Sequence, residues 1–136
     1  GLGDVYKRQV FGLVHITNPE ASLFGAVAIA LEAGVLLGAA YFLTRRLWLA
    51  IGIHTGWNFA QAGIFSSDVS GTGDTAGLLE ATWHGPAWLT GGDMGVEASV
   101  ITIVIALSAG VLMLVLAYNH GMLKPSVKRE QRMLQP

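Results

Sequence analysis

The sequence has no cysteine. Disulfides, thiolate zinc sites and cysteine nucleophiles are therefore excluded. Charge is scarce as well: only 12% of residues are Asp, Glu, Lys or Arg, where a soluble domain usually carries about 25%. With 52% apolar residues, the composition is that of a membrane protein. Internal repeats and low-complexity tracts are lacking too, so one membrane domain is the simplest organisation.

The absences are also local. Ala98–Tyr118 carries no charge at all, and Leu23–Leu43 carries one, Glu32. Together with Leu47–Phe65, these make three segments long enough to cross a bilayer, for which about 20 apolar residues are needed. A partial helix is expected over Val10–His15. Asn18-Pro19 ends it, because the residue before a proline is pushed out of the helical region. The expected fold is all-α: a polytopic transmembrane helix bundle with about three full spans plus the partial N-terminal helix.

The formal net charge of −1 says little, but its distribution says much. Beyond Lys7 and Arg8, basic residues occur only at Arg45 and Arg46, between the first two spans, and at Lys124, Lys128, Arg129 and Arg132 in the tail. The loop Ser66–Glu97 contains Asp68, Asp74, Glu80, Asp93 and Glu97 but no Lys or Arg. Positive residues mark the cytoplasmic face. Arg45–Arg46 and the tail are thus expected inside and the acidic loop outside. The loop is long and glycine-rich for a simple connection. Its Trp83, Trp88 and Leu89 suggest that part of it returns to the membrane interface.

Gly34 with Gly38, and Gly52 with Gly56, form G-x-x-x-G pairs that predict close helix packing in the first and second spans. The second span also keeps three polar side chains, His54, Asn58 and Gln61. At i, i+4 and i+7 they fall on one helical stripe. Such a stripe in hydrocarbon faces protein, water or a substrate. His54 and Asn58 can both donate hydrogen bonds to a developing oxyanion. His15, with Phe11 one turn before it, is the other membrane-level histidine, and Glu32 the one mid-span carboxylate. The plainer reading of each is a hydrogen bond that ties helices together, worth about 0.6–2 kcal/mol.

FGLVH (Phe11–His15) followed by RRLWLAIGIHTGWN (Arg45–Asn58) resembles the second and third motifs of the CPBP family. These are type II CAAX prenyl endopeptidases and related bacterial membrane proteases, including bacteriocin-immunity members. WLTGGDMGVEAS (Trp88–Ser99) is similar to a segment that follows the third motif in some prokaryotic members. The resemblance covers roughly Val10–Tyr118 and implies an intramembrane endopeptidase. It implies that His15 handles the proton of the attacking water, and that His54 and Asn58 hold the oxyanion.

The family's first motif, E-E-x-x-x-R, has no counterpart before Phe11, and no residue here matches its water-activating glutamate. The chain thus reads as the C-terminal part of a longer protease, inactive by itself. Residues 1–9, polar and abrupt, read as a non-native leader, 10–118 as the partial protease domain and 119–136 as a basic cytoplasmic tail. A non-catalytic binding or immunity protein on the same scaffold is the alternative. A third reading makes His15 and His54 metal or haem ligands, although two histidines do not complete a typical zinc site. No cofactor is implied, and a divalent metal stays open. The expected partners are a membrane-associated peptide or protein substrate and the lipid bilayer, with no nucleic acid. The expected location is the bacterial or archaeal cytoplasmic membrane, as a multi-pass protein.

Overall fold

Long apolar runs bounded by capping residues dictate the architecture. The computed structural model describes residues 17–19, 22–73 and 76–123. Helix α1 spans Leu23–Thr44, and Ser22 starts it by accepting the Gly25 N–H on its hydroxyl at 3.0 Å. It ends at Arg45, whose backbone is left-handed and whose N–H returns to the Tyr41 carbonyl at 2.6 Å. A tight basic turn leads to α2, Trp48–Asn58, which continues directly into a π-helical segment, Phe59–Ile64. The long loop that follows includes one short helical turn, α3 (Ala87–Thr90), and two 3₁₀ turns, Gly92–Met94 and Val96–Ala98. Helix α4 spans Val100–Asn119, with Ser99 as its cap. Among the described residues there is no strand.

Two of these helices, α1 and α4, are long and apolar enough to cross a membrane. Much of their apolar surface is open: Phe24, Val27 and Leu31 on α1, and Ile101, Val104, Ile105 and Val111 on α4. A soluble protein's core helices would bury such residues, so both helices fit a lipid-facing role. The middle segment is apolar but divided. Its α-helical part has eleven residues, and a six-residue π segment completes it.

Helix α1 is central, packing most extensively on α4 and less on α2. Small residues set that spacing. Ala39, Ala40, Ala106 and Ala117 are buried, and a Cβ on Gly110 would lie 2.8 Å from Val35 Cγ1 and 3.3 Å from the Leu36 backbone. Close backbone approach through small residues is how membrane helices associate. Among the described residues, the expected Gly52–Gly56 packing face is not formed. Both glycines are exposed, and a Cβ at either would meet nothing within 4 Å among the described residues. The small-residue face is instead Ala106–Gly110 on α4. Helix α2 turns its polar side inward, which leaves its glycines outward.

The loop after the π segment folds back rather than swinging free. Leu78, Leu79 and Ala81 donate backbone hydrogen bonds to the carbonyls of Gly63, Ile64 and Phe65, which the helix end would otherwise leave unsatisfied. Asp68 orders the next turn by accepting the N–H groups of Thr72 and Gly73 at 2.9 and 3.1 Å. Gly95, at φ 86°, lies so close to the Asp68 carbonyl that any side chain would overlap it. This contact brings the Gly92–Ala98 turns over the bundle. Met94 and Ala98 then join Ile29 in the small buried core.

Candidate functional site

Between them, α1, α2, the folded-back loop and the first turns of α4 line a partly open cavity of about 60 Å³. That is room for several water molecules at about 10–15 Å³ each. Ile53, His54, Trp57 and Asn58 of α2 line one wall. Their i, i+1, i+4, i+5 spacing is a single helical face. The opposite walls carry Glu32, Ser70, Glu97 and Thr102, set among aliphatic side chains.

His54 and Asn58 form a pair. The Asn58 Nδ2 and His54 Nε2 atoms are 3.3 Å apart. An amide nitrogen only donates, so in this orientation His54 Nε2 accepts and the ring proton is on Nδ1. The carboxamide keeps a second N–H, and both residues are half-buried at the cavity wall. Two donors at one cavity wall can stabilise negative charge developing on an oxygen.

Gln61 does not complete the stripe. It is buried, 5% exposed, but not part of the cavity lining. Among the described residues its side-chain amide has no hydrogen-bond partner. The π turn that begins at Phe59 explains the departure. Hydrogen bonds there close over five residues, so each residue advances by a smaller angle, and Gln61 falls off the line of His54 and Asn58.

Glu32 lies where its mid-span position suggested, 6% exposed, on the cavity wall facing α2. Its Oε2 has no partner among the described residues. Sequence reading did not find Glu97 or Ser70, because both lie in the loop assigned to the exterior. Glu97 is 5% exposed. Its Oε2 accepts a hydrogen bond from Trp57 Nε1 at 3.3 Å, and its Oε1 accepts one from the Ser70 hydroxyl. Ser70 has a left-handed backbone at φ 55°, a conformation that costs a non-glycine residue on the order of 1 kcal/mol and persists only where neighbours enforce it. The one available signal was the resemblance over Trp88–Ser99, which includes Glu97.

His15, Phe11 and the expected helix Val10–His15 lie outside the described residues, as do the leader 1–9 and the tail from 124 onward. Asn18, three residues after His15, is described. Its carboxamide donates to the Ser70 carbonyl at 2.6 Å, so this segment is tied to the loop whose Ser70 hydroxyl reaches the cavity. No group of three or more His, Asp or Glu side chains able to hold a metal occurs among the described residues.

Comparison with known proteins adds a family to this geometry. The sequence model described as "Rce1-like: type II CAAX prenyl endopeptidase Rce1-like" matches residues 5–60. The matched stretch contains FGLVH, all of α1 and the His54–Asn58 pair. No curated protein and no solved structure matches the chain. The match over residues 5–60 makes this part of the chain similar to the type II CAAX prenyl endopeptidases and supports a CPBP-type intramembrane protease.

Proposed function

We propose that this chain is the C-terminal part of an intramembrane endopeptidase that hydrolyses a peptide bond of a membrane-associated peptide or protein. The observation that carries the reading is the His54–Asn58 pair, 3.3 Å apart on the wall of a cavity inside the bundle. It lies within the stretch that matches the endopeptidase family. In this reading the His54 imidazole and the Asn58 carboxamide stabilise the tetrahedral oxyanion. His15 takes part in proton handling of the attacking water. The activating glutamate comes from the family's first motif, which this sequence does not contain, so the chain alone does not cleave.

The same reading makes the protein multi-pass in a bacterial or archaeal cytoplasmic membrane. Helix α1, the α2–π segment and α4 serve as its three spans, with Arg45–Arg46 inside and Ser66–Glu97 outside. Tyr41 stacks under Arg45 at 6.0 Å and Trp48 is largely exposed, which suits an interfacial basic turn.

The test uses the parent protein with its upstream motif, reconstituted in liposomes with a reporter peptide. Oxyanion donors act on the transition state and only weakly on bound substrate. Asn58→Ala should lower kcat by about 10²–10³-fold with KM near the parent's. Unchanged turnover in Asn58→Ala would sink the assignment. A parent that binds the peptide without cutting it would favour the immunity-type scaffold.

A further inference from the structure

Glu97 lies outside the matched stretch and outside the oxyanion pair, yet it grips the turn of α2 that carries both donors. Trp57 follows His54 by three residues and directly precedes Asn58. Its indole N–H is held by Glu97 Oε2 at 3.3 Å, and both residues line the cavity. Little else restrains that turn on its outer side: Gly52 and Gly56 meet nothing within 4 Å among the described residues. The helix changes from α to π immediately after Asn58, a place where register can shift.

Glu97 itself is well anchored. It sits in the 3₁₀ turn Val96–Ala98, between Gly95 packed on the Asp68 carbonyl and Ser99 capping α4. Its other oxygen accepts the Ser70 hydroxyl. A fixed acceptor therefore meets a helix whose outer side, among the described residues, has no packing at Gly52 or Gly56. Side-chain tips lie about 5–6 Å from a helix axis. A rotation of α2 by about 10° would move the His54 and Asn58 donors by about 1 Å, a misplacement that can cost roughly 10²-fold in rate.

We propose that Glu97 is a positioning residue that sets the rotation of α2 through the Trp57 indole and so aims His54 and Asn58 into the cavity. Its effect on rate rests on the proteolytic reading above; its effect on the donors does not. Three variants separate the causes. Glu97→Ala removes both contacts. Glu97→Gln keeps an acceptor for the indole and a group that can pair with the Ser70 hydroxyl. Trp57→Phe removes the indole donor but keeps an aromatic ring.

In the parent enzyme, Glu97→Ala and Trp57→Phe should each lower kcat by about 10²-fold at near-normal KM. The double variant should be no worse than either single one, and Glu97→Gln should recover most of the turnover. The direct readout is NMR of the ¹⁵N-labelled chain in bicelles. Glu97→Ala should shift the Trp57 indole signal, speed its hydrogen exchange and move the Asn58 carboxamide and His54 ring signals. Trp48, outside the cavity, should report an unchanged fold. Unmoved His54 and Asn58 signals in both Glu97→Ala and Trp57→Phe would overturn the proposal. So would Glu97→Gln being as inactive as Glu97→Ala, since the missing charge would then be the cause. If the signals move as expected but the parent cleaves nothing, the positioning role stands and the protease reading fails.

Discussion

Gly110 is a point of close approach between the two long helices, and enlarging it should loosen the bundle. A Cβ there would lie 2.8 Å from Val35 Cγ1 and 3.3 Å from the Leu36 N and Cα atoms. Val35 can rotate its side chain, but the Leu36 backbone moves only if α1 moves. Overpacking of this kind typically costs about 1–3 kcal/mol. Alanine would regain up to about 1 kcal/mol from helix propensity, whereas the β-branched valine regains less. Gly110→Val should therefore be destabilised by about 2–3 kcal/mol, and Gly110→Ala by less. Gly52→Ala and Gly56→Ala are the controls, because neither meets a neighbour within 4 Å among the described residues. Both should be neutral or slightly stabilised. Far-UV circular dichroism during SDS titration of mixed micelles measures all four. The loss should reach function too, since separating α1 from α4 draws Glu32 and Ala33 away from Thr102 and Ala106 across the cavity. Gly110→Val with parental stability, or Gly52→Ala losing as much, would show that the small-residue contact does not set the helix spacing.

In the restored parent, His15→Ala should be at least as damaging to turnover as Asn58→Ala, measured with the same liposome reporter. Glu32→Gln preserves shape and a carbonyl acceptor at a buried cavity position, and it should retain most activity; complete loss would place chemistry on Glu32. For orientation, single cysteines at Ser126 and Leu78 should label oppositely in intact cells, with position 78 reached from outside. Ser70, though in the same loop, is a poor reporter because it is buried against Glu97. Labelling at 126 with protection at 78 would invert the topology.

The helices were legible because their causes are local. The expected spans Leu23–Leu43 and Ala98–Tyr118 correspond to α1 at Leu23–Thr44 and α4 at Val100–Asn119. Hydropathy sets these lengths, and Ser22 and Ser99 supply the caps. The His54–Asn58 pair was legible for the same reason, as two residues one turn apart must share a face. Extending that rule to Gln61 failed, because the rule assumes an unbroken α-helix and the chain changes to π-helix at Phe59.

The sequence by itself thus determined an all-helical, lipid-compatible chain with one inward polar pair and a stretch that resembles a family of membrane proteases. Tertiary structure decided what that pair faces. Glu97 follows Trp57 by 40 residues and Ser70 by 27. Their meeting depends on the loop turning at Asp68 and on Gly95 fitting against its carbonyl. Similarly, which small-residue face packs was settled by the partner available: Gly110 meets the α1 backbone, while Gly52 and Gly56 point away. Hydrophobic period and motif spacing constrain neighbours within a few turns. Contacts across tens of residues are selected only when the whole chain packs, which is why the acidic wall of the cavity could not be read in advance.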